Sequence, residues 1–360
     1  MSAHEILIAV MAGFALLGAI DRIFGNKLGL GKEFEEGILA MGALAMAMLG
    51  IIVLAPVLAK VLRPVVVPVY AFLGADPAMF AGSILACDMG GAALAQELTQ
   101  DPQAALFGGL LGGSMLGATI VFTIPVAMGI LKEEDRPFLA KGILAGIVTI
   151  PFGMLFGGLV AGFSLGMILK NLIPIVLLAA LIALGLWKWE KAMIRGFSAF
   201  GKGVVALITA GLALAIFQEL TGFVILPGMV SLSEGFQTVG SIAIVLAGAF
   251  PLVFLLTKVL QKPLGKLGKL FHINETAAAG LIATLANSIA TFGMLKNMDR
   301  RGKVLNVAFG VSAAFVFGDH LGFTAGFAPQ MLPAVIVGKL AGGIAAVAVA
   351  LLLTRKENNG

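Results

Sequence analysis

Apolar stretches follow one another along the whole chain, each about the 20 residues that cross the hydrocarbon of a bilayer, with short polar joints between them. They cover 5–24, 37–59, 76–98, 103–131, 138–163, 167–187, 203–226, 236–258, 274–298, 302–329 and 331–354. Runs of this length in hydrocarbon can pair all their backbone groups only as helices, so the pattern predicts an all-α polytopic membrane protein. Four of the stretches are interrupted. At the centre of 76–98 a carboxylate sits beside two glycines, at the centre of 274–298 amide and hydroxyl groups sit, and 103–131 and 302–329 carry breakable points of their own.

The pattern also occurs twice. At a constant offset of 198 residues Gly13 matches Gly211, Asp21 matches Glu219, Gly50 matches Gly248, Lys60-Val61-Leu62 matches Lys258-Val259-Leu260, and Asp101 matches Asp299. Matched charges and glycines in one ungapped register mark an internal duplication, and duplicated apolar halves with broken helices point to a transporter. The predicted organisation is a first repeat over 1–166, with hairpin 76–98 and broken helix 103–131, and a connecting helix and cytoplasmic loop over 167–202. A second repeat follows over 203–354, with hairpin 274–298 and broken helix 302–329, and then a tail over 355–360.

Charge selects the topology. Charged residues make up 12% of the chain against 59% hydrophobic, about half the charged share of a soluble domain. The net charge of +5 lies in short loops and reads as orientation, so no nucleic-acid partner is expected. Eleven full spans distribute Lys and Arg poorly between the two sides. If 76–98 and 274–298 enter and leave by one face, twenty of the 24 basic residues become cytoplasmic, with Lys60 and Arg63 outside and Lys170 and Lys339 near membrane depth. That reading gives about nine crossings plus two re-entrant hairpins, inverted repeats, an outside N-terminus and a cytoplasmic C-terminus. Eleven spans with parallel repeats is the alternative. The start of the chain does not read as a removable signal peptide.

Candidate chemistry gathers at the interruptions. Cys87-Asp88-Met89-Gly90-Gly91 places a carboxylate beside two glycines in mid-stretch, and Asn287, Ser288 and Thr291 place amide and hydroxyl groups at nearly the matching position. A carboxylate at bilayer depth costs roughly 2.5 to 3.5 kcal/mol even on insertion scales, so Asp88 reads either as a functional acid or as a neutral cap on a half-helix. Asp319 and His320, between Phe317 and Phe323, read either as an internal ion pair or as substrate contacts. Asp21, Arg22 and Glu219 read as interfacial pairs, and Trp187 and Trp189 as an interfacial belt. The single cysteine, Cys87, excludes an intrachain disulfide and a multi-cysteine zinc site, and no phosphate loop, HExxH or CxxC pair is present, so neither metal nor cofactor is expected.

Taken together, Phe34-Glu35-Glu36-Gly37, Met79-Phe80-Ala81-Gly82, Leu85-Ala86-Cys87-Asp88-Met89-Gly90-Gly91, Ala283-Thr284-Leu285-Ala286-Asn287, Met298-Asp299-Arg300-Arg301-Gly302-Lys303 and Gly318-Asp319-His320-Leu321-Gly322-Phe323 resemble the EutH-type ethanolamine permeases of bacterial ethanolamine-utilisation operons. The resemblance covers essentially the whole chain. It implies passage of ethanolamine, chiefly protonated, into the cell across the inner membrane, and it assigns no binding residues. The residues themselves supply those: Asp88 first and Asp319 second for the ammonium, with His320 beside them. Asn287, Ser288 or Thr291 suit the hydroxyl, Phe292, Phe317 or Phe323 offer cation–π contact, and Cys87, Met89, Gly90 and Gly91 support the tip. The coupling ion stays open between proton, sodium and none, and a homo-oligomer is compatible with the reading. Two other classes stay in view: a channel or sensor for small amines, and a polytopic membrane enzyme acting on an amine headgroup.

Overall fold

A computed structural model describes residues 2–355, the side chains of 260–267 and 269 excepted; the tail expected over 355–360 thus lies outside the described residues apart from Arg355. Among the described residues all regular structure is helical. The α-helices are α1 (Ala3–Ile23), α2 (Leu30–Phe72), α3 (Ala78–Ile84), α4 (Gly91–Leu98), α5 (Pro102–Ala105), α6 (Ile124–Ile130), α7 (Arg136–Ile147), α8 (Ile150–Val160), α9 (Leu165–Thr221), α10 (Leu232–Phe271), α11 (Glu275–Ala286), α12 (Ser288–Met294), α13 (Arg300–Ala313), α14 (Asp319–Phe327) and α15 (Leu332–Leu353). Among the described residues six helices are long and apolar enough to cross a membrane, or seven if the bent pair Glu133–Ile147 and Ile150–Val160 is one span.

Several ends are set by local chemistry. Ser2 and Glu5 form a reciprocal capping box on α1. Asp21, in the last turn of α1, is buried and accepts from the backbone N–H groups of Leu28 and Gly31, each at 2.9 Å, so it ties α1 to the start of α2. Arg22 pairs with Glu35 at 3.2 Å. Asp21 and Arg22 thus join helix ends. Across the connecting helix and loop expected over 167–202, α9 runs on, with non-helical φ/ψ at Trp189 (φ −135°, ψ 44°), where two helices meet at a kink. At 57 residues and about 1.5 Å per residue, α9 needs that kink to fit a bilayer.

The segments expected to form the two repeats pack on each other. α1 packs on α10, the later half of α9 packs on α2, and α2 and α10 pack on each other. The contacts are reciprocal in detail. A Cβ on Gly50 of α2 would overlap the carbonyl of Ile208 in α9, and a Cβ on Gly248 of α10, 198 residues on, would overlap the carbonyl of Met11 in α1. Glycine at these two positions lets the backbones touch.

Stretch 76–98 folds as a hairpin of half-length helices, α3 and α4, joined by a single 3-10 turn over Cys87–Met89. Its ends come back together. The Thr99 hydroxyl donates to the Asp76 carboxylate at 2.6 Å, and the Asn171 side chain accepts from the Asp76 N–H at 2.7 Å. Gly90 closes the tip at φ +89°, facing Ile51 of α2, a conformation and a fit that exclude a side chain. Stretch 274–298 does the same with α11 and α12: Asn274 N–H donates to Asp299 at 2.8 Å and its side-chain amide donates to the Asn297 carbonyl at 2.9 Å. Asp76 and Asn274 are themselves 198 residues apart, so the closure is repeated along with the sequence.

The helices that follow the hairpins differ. Stretch 302–329 is interrupted between α13 and α14, where Phe315 takes a left-handed φ of 62°. Backbone N–H groups freed there find the carbonyls freed at the neighbouring hairpin tip: Phe315 donates to Thr284 at 3.2 Å and Phe317 to Leu285 at 2.9 Å. Stretch 103–131, expected to break, runs on from α5 to α6 through π-helical segments over Leu106–Gly117 and Thr119–Thr123. Its glycines admit α3 and α4 at close range, and wider winding keeps the backbone paired without a gap.

Candidate functional site

The tip of hairpin α3–α4 lies against the start of α14. Around this meeting point opens a cavity of about 730 Å³, walled mainly by apolar residues of α2 (Ala40, Leu44, Ala47), of the π-wound helix (Val121, Phe122) and of α9 (Val205, Ile208). Its ionisable or polar lining is sparse: Asp88, Asp319 and His320 at one end, Ser198, Lys202 and Thr209 along α9. Lys202 is exposed, so the cavity reaches the surface there. A second cavity of about 380 Å³ carries Glu33, Thr257, Lys258, Asn287 and Phe317. Asp319 lines both.

His320 is buried at the N-terminal turn of α14, with Nε2 3.7 Å from the Asp88 Oδ1 atom. Its Nδ1 atom lies 3.0 Å from Nζ of Lys339, and the same ammonium donates to the carbonyl of Ser114 at 2.5 Å. The carbonyl of His320 accepts from the Thr324 hydroxyl at 2.7 Å, which locks the turn that presents the ring. Phe315 packs its ring 5.3 Å from the imidazole and meets Phe122 edge-on at 5.5 Å, so two aromatic rings face the cavity beside the acids. The imidazole thus bridges the Lys339 amine, at Nδ1, and the Asp88 carboxylate, at Nε2.

This arrangement corrects one reading of the sequence. Asp319 and His320 do not form an ion pair among the described residues: consecutive side chains on a helix diverge, and His320 turns to Asp88 and Lys339 while Asp319 faces the two cavities.

Of the remaining candidates, Met89 lines the larger cavity, Asn287 and Phe317 the smaller. The Asn287 side chain accepts from the Ile289 N–H at 2.8 Å and caps α12. Thr291 lines neither cavity. Its hydroxyl is 2.7 Å from that of Thr284 and donates to the Gly280 carbonyl at 3.1 Å, joining the two arms of its hairpin. Ser288 is buried with no hydrogen-bond partner for its hydroxyl among the described residues. Phe292 and Phe323 are packed inside, Phe323 stacked on Phe327, and Cys87 is fully buried behind Asp88. Gly90 and Gly91 shape the tip, as Gly91 leaves room only for the Leu85 and Ala86 carbonyls.

Lys339 and Phe315 escaped the sequence reading as site residues. A lysine in the middle of the apolar helix α15 is itself a functional signal, since an intramembrane charge needs a partner. Cys87, Asp88 and His320 also present S, O and N ligand atoms within 4.8 Å of one another, a set whose chemistry suits a borderline or soft cation.

Residues 3–353 match the family model described as the ethanolamine utilisation protein EutH. The chain belongs to the EutH family. It is 63% identical over 356 residues to a probable ethanolamine permease EutH of Listeria monocytogenes, covering 99% of this chain and 95% of that one. A probable ethanolamine permease EutH of Salmonella typhimurium is 49% identical over 396 residues, covering 99% and 97%, and a Bacillus subtilis protein called YxeR is 52% identical over 358 residues, again covering 99% and 97%. No solved structure matches the chain. With its apolar helices, membership of this family makes the chain a membrane protein.

Proposed function

We propose that the protein carries protonated ethanolamine into the cell across the inner membrane by alternating access. The observation that carries this reading is the cavity of about 730 Å³, apolar in its walls, with two carboxylates at one end and an opening at Lys202. Ethanolamine offers one ammonium and one hydroxyl. Asp88 and Asp319 suit the ammonium, with Phe122 and Phe315 adding ring faces, and Thr209 and Ser198 offer hydroxyls along the wall. The names of the Listeria and Salmonella relatives agree with this substrate.

The proposed topology has nine crossings, two re-entrant hairpins and inverted repeats. Several contacts support it. The π-wound helix starts at Asp101, where hairpin α3–α4 closes, and leads at its other end to Asp135, which pairs with Lys303 just beyond the closure of hairpin α11–α12. The two hairpins therefore open toward opposite ends of one spanning helix. Gly201, beside Lys202, packs on Pro125 near that Asp135 end. The basic residues Lys132, Arg136, Lys188, Lys191, Arg195 and Lys202 belong to segments at this end, which the positive-inside bias assigns to the cytoplasm. On that assignment the larger cavity opens inward, and the C-terminus is cytoplasmic.

The test is labelled-ethanolamine uptake by proteoliposomes under an imposed inside-negative potential, with sodium and pH gradients varied separately. A singly charged substrate gains about 2.3 kcal/mol per 100 mV, so uptake is expected to saturate, to show counterflow and to rise with the potential. Uptake that does not saturate and shows no counterflow would make the protein a channel, and no uptake would remove the reading.

A further inference from the structure

Lys339 is the one element of the site that a simple cation-binding pocket does not call for. It is 1% exposed, lies outside both cavity linings, and touches the site at Nδ1 of His320. Its charge is held by two contacts from other parts of the chain, the Ser114 carbonyl of the π-wound helix and Nδ1 of His320 on α14. The other face of the same imidazole looks at Asp88. A fixed cation therefore stands one ring away from the carboxylate that faces the cavity.

We propose that Lys339 is a built-in counter-cation that sets the charge of the cargo, admitting amines with one positive charge and rejecting diamines with two. This rests on the reading of Asp88 and Asp319 as the ammonium site. The groups at this end of the cavity are two carboxylates, Asp88 and Asp319, one imidazole and, behind them, the Cys87 thiol, which is neutral in this count, and the amine of Lys339. With both acids ionised and Lys339 protonated, the cluster carries one net negative charge, and a monocation neutralises it. A dication leaves an excess positive charge in a place of low dielectric, next to an ammonium that cannot move away from its two partners. Without Lys339 the same cluster carries two negative charges, and a dication becomes the matched ligand. Specificity here is a repulsive element placed behind the attractive one. The imidazole supplies the spacing. It keeps Lys339 from collapsing onto Asp88 and neutralising it outright, which would abolish the site for any cation.

The experiment compares two competitors of labelled-ethanolamine uptake in proteoliposomes that differ in one terminal group, 3-aminopropan-1-ol and 1,3-diaminopropane, at a pH where both diamine nitrogens are protonated. For the wild type, the amino alcohol is expected to compete about tenfold or more better than the diamine, since like-charge juxtaposition costs several kcal/mol. In Lys339→Met the gap is expected to close or invert, with labelled diaminopropane itself taken up, while Lys339→Arg keeps the wild-type order. A gain of diamine uptake is something a lysine that merely packed the bundle would not produce on removal. Equal competition by the two compounds in the wild type overturns the proposal without recourse to any variant, as does an unchanged gap in inserted, folded Lys339→Met. Failure of the wild type to take up ethanolamine would overturn the functional reading and this proposal with it. Uptake of ethanolamine with no discrimination against the diamine would overturn this proposal alone.

Discussion

Asp88 is the residue at which the chemistry of the site is most concentrated. It projects from a tip that only glycine could close, into a cavity whose remaining walls are chiefly apolar, with the His320 imidazole beside it. A charge-assisted hydrogen bond from an ammonium contributes about 1.5 to 3 kcal/mol, and about 1.4 kcal/mol is a factor of ten. Asp88→Asn is therefore expected to weaken ethanolamine competition by about tenfold or more while leaving insertion intact; unchanged affinity would pass the ammonium to Asp319 alone. Much of this was legible in the sequence, since Asp88, Asp319 and His320 are polar residues at positions where polarity is expensive. Lys339 was legible as a charge at membrane depth but its place in the site was not, because its partner Ser114 lies 225 residues away and nothing local shows that the two helices meet. Thr291 misleads in the opposite sense: its hydroxyl looks available in the sequence and is spent on Thr284 and Gly280 in its own hairpin.

At the scale of elements, the two hairpins are held at their mouths by single acidic residues used in the same way. Asp76 accepts from the Ala78 N–H at 2.8 Å and from Thr99 across the hairpin mouth; Asp299 accepts from Gly302 N–H at 3.1 Å and from Asn274 across the other. Each thus caps a helix and closes a loop together. Asp76→Ala removes both acceptors, and the expected result is a loss of about 1 to 3 kcal/mol in the local stability of the hairpin, seen as faster amide hydrogen exchange across 78–98 with the exchange of α15 unaltered. Equal exchange in variant and wild type would mean that packing against the π-wound helix holds the hairpin on its own. The breaks within 76–98 and 274–298 were legible in their central polar groups. The π-helical winding of Leu106–Gly117 could not. A run of glycine and leucine has no polar group to mark a break, and the choice between a gap and a wider helix depends on how closely α3 and α4 approach. The continuation of α9 through 188–202 was hidden for a related reason: charged residues that read as a loop are equally at home on a helix that has left the hydrocarbon.

At the scale of the molecule, the duplication sets which residues share a side of the membrane, and this makes the inverted arrangement separable from its rival by one labelling experiment. Gln103 and Lys296 are both exposed, each just beyond or at the mouth of a hairpin, one in each copy. If the hairpins re-enter and the copies are inverted, Gln103 lies outside and Lys296 inside. If all eleven stretches cross and the copies are parallel, both lie on the same side. The native chain has a single cysteine, Cys87, which is fully buried beside Asp88 and His320, so a Cys87→Ala background, its ethanolamine uptake first matched to the wild type, removes the last competing thiol. In that background Gln103→Cys is expected to react with a membrane-impermeant maleimide on intact cells, whereas Lys296→Cys and Lys202→Cys react only after the membrane is opened. Lys202 adds the functional step, because it stands at the exposed end of the larger cavity. Protection of Lys202→Cys by ethanolamine from the cytoplasmic side would tie the cavity, the orientation and the cargo into one cycle, and labelling of Gln103→Cys and Lys296→Cys from a common side would dismantle the inverted topology and the inward-open assignment at once.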